Sequence, residues 1–322
     1  MARRSPTTAL SGEGLGIPLL AMAAAIFIMS TGLVAIKATS LGGLQFSFWR
    51  LWVGVAALGP VVIWRLAVKP EARPSLSSLR RVILPGLLVA FFQPALVVAA
   101  KLTSVTDVAL LTSVMPLIVS VIAVPILGER PGARFRLWVV VAISGAGLVA
   151  YGGSTGLEGG LLGMALACAG VVGWAFYMVI LKISRVYLDA IVLLWAILVI
   201  AAIGLTVFMA LTGWDPGSVT TRDRLLITYV ALIPGGVGLA LMTWAYRWLP
   251  ANIPPLMQSA KPVLSGAQAY WLLSEPVTTM HFVGGGIAIA GVVGAILDRT
   301  GRRLLAEAQS NADQPDLISP TT

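Results

Sequence analysis

The chain has 322 residues, 58% of them hydrophobic and only 11% charged, with a mean hydropathy of +0.92. Soluble domains carry about 25% charged residues, so these values exclude a water-soluble globule and leave a polytopic membrane protein. The formal net charge of +9 suggests a nucleic-acid partner only until the basic residues are assigned to loops.

A helix that crosses the roughly 30 Å apolar core of a bilayer needs about 20 residues, and ten stretches meet that requirement. The first, 17–36, follows Arg3 and Arg4; it is as long as a full span and nine more come after it, so it reads as an uncleaved helix rather than a signal peptide. The second, 44–67, carries Arg50 near its start, where a long cationic side chain reaches the surface by snorkelling. The third, 82–100, holds Gln93 beside Pro94. The fourth, 105–126, has Asp107 in its first turn, Pro116 near its middle and Glu129 just beyond its end; a carboxylate in a first turn stabilises a helix N-terminus. The fifth is 136–152 and the sixth 160–181, which contains the single cysteine, Cys168, and Trp174 and Tyr177 at a spacing that puts both rings on one face.

The seventh stretch is 189–211, and the eighth, 225–243, closes near Trp244 and Tyr246. The ninth, 253–273, contains Gln258, Lys261 and Pro262 and is followed by Glu275; the tenth is 280–297. Residues 298–322 include Glu307, Asp313, Asp316 and two prolines and read as a disordered cytoplasmic tail. One cysteine supplies neither a disulfide framework nor a metal cluster, and no cofactor is expected. Trp64, Trp138, Trp214 and Trp248 lie near span ends, where tryptophans anchor helices at the interface.

Assigned to loops, sixteen basic residues fall on one side of the membrane: Arg3, Arg4, Arg65, Lys69, Arg73, Arg80, Arg81, Arg130, Arg134, Arg136, Lys182, Arg185, Arg247, Arg299, Arg302 and Arg303. Only Lys37, Lys101, Arg222 and Arg224 fall on the other. The positive-inside rule therefore places both termini in the cytoplasm of a bacterial-type inner membrane, and the basic excess is a topology signal that argues against nucleic acid.

The second half of the chain repeats the first. An offset of 146 residues pairs Leu110 with Leu256, Ser113 with Ser259, Pro116 with Pro262, Glu129 with Glu275, Ala142 with Ala288 and Gly145 with Gly291. Five spans per copy is an odd number, so the second copy enters the membrane inverted. The turn after Glu129 carries Arg130, Arg134 and Arg136, whereas the turn after Glu275 has no Lys or Arg, only His281. The expected fold is all-α and integral to the membrane: ten transmembrane helices as two inverted five-helix repeats. Residues 1–16 form a cytoplasmic segment, 17–152 and 159–297 the two repeats, and 298–322 the tail.

An apolar helix with an internal proline, then Leu-Gly/Ser-Glu, a short turn and a Gly-rich helix occurs as "SVMPLIVSVIAVPILGERP…ISGAGLVAYG" and again as "SAKPVLSGAQAYWLLSEPV…IAIAGVVGAIL". The pattern resembles the EamA-type unit of the drug/metabolite transporter superfamily from about residue 17 to residue 297. The resemblance implies a bacterial carrier of two five-helix units that moves amino acids or other small metabolites.

Ionisable side chains deep in a bilayer default to functional hypotheses. Lys261 lies on the order of 12 Å along its helix, its repeat partner is Met115, and its ammonium is suited to the anionic group of a substrate. Gln258 shares its face, and Gln93, Trp174 and Tyr177 complete the expected binding set. Arg50, Asp107, Pro116, Pro262, Glu129 and Glu275 are assigned to structure or gating: the prolines remove a backbone donor and permit a bend, and the glutamates accept hydrogen bonds from the N–H groups that open the next helix. Small residues at four-residue spacing, Ala142, Ala146 and Ala150 in one copy and Gly286, Ala290 and Gly294 in the other, suit close packing in the bundle or at a homodimer contact.

The function expected is secondary transport by alternating access. The substrate is a small metabolite, an amino acid or carboxylate-bearing derivative, moved in the export direction. No Asp, Glu or His lies deep in a span, which argues against a carboxylate proton relay. Efflux of drugs or cationic compounds is the alternative. A membrane-embedded lipid-modifying enzyme has little support, because one histidine and one buried cysteine do not assemble a hydrolytic centre.

Overall fold

A computed structural model of the protein describes residues 16–69, 74–115, 117–119, 121–122, 133–154, 160–184, 189–245, 248–249, 257–258 and 260–312. Pro116, Glu129 and Tyr246 lie outside the described residues. The helices are α1 (Gly16–Lys37), α2 (Gly43–Val68), α3 (Leu76–Leu102), α4 (Val105–Ser113), α5 (Ala133–Ser154), α6 (Gly160–Ser184), α7 (Ala190–Thr212), α8 (Thr221–Leu232), α9 (Leu239–Ala245), α10 (Lys261–Leu273) and α11 (Thr279–Ala312). A π-helical segment, Ile233–Gly238, joins α8 to α9. No strand is present among the described residues. Among the described residues six segments are long and apolar enough to cross a membrane: Gly16–Lys37, Gly43–Val68, Arg80–Leu102, Gly160–Leu181, Ile191–Thr212 and Thr221–Met242.

Prolines set the interruptions. Pro262 has no N–H to give the Gln258 carbonyl, and α10 begins at Lys261 after Ala260. In the first copy α4 ends at Ser113 and Val114 caps it, its N–H turning back to Leu111 O at 3.3 Å. Val114 and Ala260 are equivalent at the 146-residue offset, so both copies break at the same place. Pro234 opens the π segment in the same manner: it leaves Val230 O without its usual donor, and the widened turn absorbs the gap.

A close helix approach joins the two copies. A Cβ added to Gly145 of α5 would lie 2.3 Å from the Ala288 nitrogen of α11, and one added to Gly291 would lie 2.4 Å from the Ala142 nitrogen. These contacts, and that of Gly294 with Trp138 at 2.4 Å, descend along α11 as they ascend along α5, so the helices cross antiparallel. The small-residue face used by α11 is therefore Gly284, Ala288 and Gly291. Gly286 faces open space and Ala290 is exposed, while Trp138, expected to be an interfacial anchor, covers Gly294.

Elsewhere α3 packs on α6, with Gly170 against Leu96, and α10 packs on α4, with Gly266 against Thr106. The α2–α7 contact is pinned by reciprocal indole hydrogen bonds, from Trp52 Nε1 to Thr206 Oγ1 (3.2 Å) and from Trp195 Nε1 to Val55 O (3.0 Å). One feature differs from the expectation for residues 298–322: α11 continues as a helix to Ala312. The run Arg302–Gln309, RRLLAEAQ, consists of strong helix formers and has no glycine or proline to stop a helix already started in the span.

Candidate functional site

Four polar residues follow one face of the ninth apolar segment: Gln258, Lys261, Ser265 and Gln268, at helical spacing. That face meets α1. Ser30 Oγ donates to Gln268 Oε1 at 3.1 Å, and Ser265 Oγ donates to Ser30 O at 3.4 Å. One residue on, Thr31 Oγ1 pairs with Tyr229 OH of α8 at 2.7 Å, and Gly32 gives room to Pro234, which would lie 3.4 Å from a Cβ there. The middle of α1 is thus the seam between the polar stripe of the ninth segment and the π segment of the eighth.

Lys261 is half-buried at the first position of α10 and has no hydrogen-bond or ion-pair partner among the described residues. A helix N-terminus carries a partial positive charge, so the ammonium stands where its own helix disfavours it. Arg50 is likewise half-buried without a described partner. It does not turn back toward the near surface as expected: its Nη2 lies 4.0 Å from the Cβ position of Gly235 in the π segment. Gly235 is fourteen residues into the helix that begins at Thr221, about 21 Å at the α-helical rise. Gln93 is 7% exposed, and neither atom of its amide finds a partner among the described residues.

Trp174 and Tyr177 stand against α3. Both pack on Phe92 of α3, with ring centroids at 5.8 Å and 5.4 Å, within an apolar cluster that includes Val89, Leu193 and Ile197. Two surface grooves, one by Trp138 and Gly294 and one by Trp49 and Val219, contain none of the predicted binding residues.

A second constellation ties together the helix ends on the Lys37 side of the bundle. Glu275 forms an ion pair with Lys37 of α1, and its Oε2 accepts the Val105 N–H of α4 at 2.8 Å. The glutamate was expected to serve the helix that follows it; instead it caps a helix of the other copy. Asp107 closes a capping box with Ser104, and its Oδ2 accepts from Ser104 Oγ (2.7 Å) and Thr103 Oγ1 (3.1 Å). Its Oδ1 faces His281 Nε2 at 2.9 Å. The His281 Nδ1 accepts the Thr278 N–H at 2.9 Å, so in the neutral ring the proton sits on Nε2 and is donated to Asp107. Around them Lys101 Nζ donates to Thr39 O at 2.6 Å, and Asp223 accepts from Ser40 N at 2.9 Å.

At the opposite end of α2, Arg65 makes a two-pronged pair with Asp189, the N-cap of α7, at 2.9 and 2.7 Å. The Arg65 hydrogen bond holds the Asp189 carboxyl below the usual carboxylate range. Sequence reasoning missed Gln268, Ser265 and Ser30, and it saw Lys37 and His281 only as loop residues. The polar stripe at positions 258, 261, 265 and 268 was the available signal; the pairing of His281 with Asp107 across 174 residues left none.

The EamA-like transporter family model matches residues 16–151 and again 161–297. An uncharacterized transporter of Bacillus subtilis (strain 168), YetK, is 22% identical over 237 residues, covering 71% of this chain and 70% of that protein. The fold is similar to that of a protein known from a crystal structure, with a TM-score of 0.58 at 18% identity over 89% of this chain and 98% of the other. With two copies of the family unit along nearly its whole length and helices apolar enough to cross a bilayer, the chain is a multi-pass membrane transporter and belongs to the EamA-like transporter family.

Proposed function

We propose that the chain is a secondary transporter that exports a small carboxylate-bearing metabolite, an amino acid or a derivative of one, across the bacterial inner membrane by alternating access. Lys261 carries this reading. An ammonium without a partner among the described residues, at the broken start of α10, is relieved by an anionic group, which satisfies both the side chain and the free N–H groups of the helix. Gln258 on the same face, and the amide of Gln93 and Nε2 of Gln268, which find no partner among the described residues, supply further polar contacts. Trp174 and Tyr177, packed on Phe92, serve this site by holding α3 against α6.

The proposed architecture is ten spans in two inverted repeats with both termini cytoplasmic. The antiparallel, reciprocal contacts of Gly145 with Ala288 and Gly291 with Ala142 support it, as does the matching helix break at residues 114 and 260. The basic loops support the orientation, which puts the Lys37 end outside. Glycines and prolines at the breaks give the bends that rocking bundles need.

The test is a thermal-shift screen of purified protein against amino acids, dicarboxylates, nucleosides and quaternary-ammonium drugs, followed by flux into proteoliposomes of whatever stabilises it. Carboxylates are expected to stabilise the parent protein and not Lys261→Met. Stabilisation by cationic drugs alone would overturn the reading in favour of cation efflux.

A further inference from the structure

Two polar side chains inside the first copy lack partners among the described residues: Arg50 of α2, and Gln93 of α3, which is 7% exposed and has both amide atoms unsatisfied. Buried polar groups without partners are rare in folded proteins and call for an explanation. Helix register brings these two together. A Cβ added to Gly43, at the start of α2, would lie 2.6 Å from the Val98 Cα of α3. The residues between Val68 and Leu76 span at most about 25 Å, too short to run back along the roughly 39 Å of α2, so the two helices are antiparallel. Counted from the Gly43 contact, Arg50 and Gln93 lie within about 3 Å of one level. Phe46, one turn before Arg50, and Val97, one turn after Gln93, belong to one buried cluster, so Arg50 and Gln93 share the side of the α2–α3 pair that faces the core.

The Arg50 guanidinium reaches the π segment, where its Nη2 is 4.0 Å from the Cβ position of Gly235, and the adjacent Pro234 lies against Gly32 of α1. The guanidinium is therefore at about the depth of Gly32. Lys261 stands at another depth. Gln268 meets Ser30 and Glu275 meets Lys37 at the same offset of 238 residues, so α10 runs parallel to α1 and Lys261 is level with Ala23. That level is roughly 13 Å farther from the Lys37 end than Gly32. One carboxylate does not reach both cations.

From this geometry we infer that Arg50 and Gln93 form a second carboxylate-binding site, separate from Lys261 and nearer the Lys37 end. The choice of carboxylate among oxyanions rests on the reading of Lys261; the existence of the second site does not. The guanidinium fork takes both oxygens of a carboxylate in parallel N–H···O bonds. Gln93 Nε2 donates a further bond to the same group, and its Oε1 accepts from an ammonium or hydroxyl beside the carboxylate. That combination of donors with one acceptor fits an α-amino acid more fully than a simple acid. In the orientation proposed above, a carboxylate that leaves Lys261 toward the outside meets a second cation at the depth of the π segment.

The experiment is modification of the purified protein in detergent by phenylglyoxal, which attacks guanidinium groups, with each arginine followed by peptide mass spectrometry. Arg222 and Arg224, both exposed, are the internal references. Sodium acetate and glycine are expected to slow the modification of Arg50, relative to sodium chloride at equal ionic strength, and to leave the two references unaffected. Glycine is expected to act at the lower concentration. The protection should persist in Lys261→Met, and in Gln93→Leu the half-protecting concentration of glycine should rise about tenfold, as for the loss of one charged hydrogen bond. An Arg50 that never reacts while the references do overturns the proposal, and so does one that reacts equally fast in acetate, glycine and chloride. Both outcomes are read on the parent and need no variant to fold. Protection by inorganic phosphate alone overturns the carboxylate assignment, and protection that vanishes in Lys261→Met overturns a separate site. The role of Lys261 stands or falls on its own, in the thermal-shift screen.

Discussion

Gly145 and Ala288 meet backbone to backbone, with only 2.3 Å between an added Cβ on the first and the nitrogen of the second, and their repeat equivalents Gly291 and Ala142 meet in the same way at 2.4 Å. Exchanging the two copies maps one contact onto the other, as in an isologous interface between two subunits. Here both surfaces belong to one chain, so the contact fixes how the two units are held. The same symmetry is broken at Lys261, whose equivalent in the first copy is Met115, and at His281, where the first copy carries an arginine-rich turn instead.

Gly145→Ala and Gly291→Ala should each lower the thermal midpoint in detergent, followed by circular dichroism. A methyl group has no room against backbone atoms, and overpacking costs about 1–3 kcal/mol. Gly286→Ala, where nothing lies within 4 Å, should be neutral or stabilising by up to about 1 kcal/mol from helix propensity. Equal destabilisation at all three positions would contradict the antiparallel contact.

Glu275 performs two jobs, and substitutions separate them. Glu275→Gln keeps an oxygen for the Val105 N–H but loses the charge that faces Lys37, whereas Glu275→Ala loses both. Each lost charged hydrogen bond at a buried site costs about 1–3 kcal/mol, so the alanine variant should unfold at a lower temperature than the glutamine variant, and both below the parent. If Lys37→Met leaves stability unchanged while Glu275→Ala lowers it, the Val105 cap is the larger part.

The membrane class, the repeat and the proline breaks were legible because each rests on local sequence: apolar length, residue spacing and missing N–H groups. The candidate binding face was half legible. Lys261 stood out as a cation in an apolar run, but Ser265 and Gln268 attract notice only once α1 is seen to receive them through Ser30. The direction of Arg50 was not readable, since snorkelling and burial demand the same side chain and only the π segment beside it decides between them. The Asp107–His281 pair lies beyond any spacing rule, because it forms only when the two copies fold together. The helical continuation to Ala312 was hidden by composition: charge suggested disorder where local propensity continued the helix.

Acid should weaken the α2–α7 contact at the Arg65 end in a definite window. The Asp189 carboxyl is held below its ordinary value by the hydrogen bond from Arg65, so the stability it contributes is fully present above the unfolded value of about 3.9 and is lost as pH falls through the depressed folded value. The difference in thermal midpoint between the parent and Asp189→Asn should accordingly hold constant from neutral pH down to about pH 5 and shrink only below about pH 4. A difference that already shrinks between pH values of about 7 and 5 would point to another titrating group.

Replacing Lys261 separates function from structure, because the two roles predict opposite signs for stability. A half-buried cation with no partner among the described residues is an electrostatic cost, so Lys261→Met should raise the thermal midpoint of the ligand-free protein while removing stabilisation by carboxylates and reducing their flux in proteoliposomes by tenfold or more, roughly the 1.4 kcal/mol that one charged contact is expected to contribute. Lys261→Arg should retain part of the flux, since the charge is kept but the planar guanidinium presents its donors differently. Were the lysine instead a structural brace for the broken end of α10, Lys261→Met would lower the midpoint and leave the apparent affinity of the remaining folded protein unchanged. The sign of the stability change and the affinity, measured on the same preparation, decide between them.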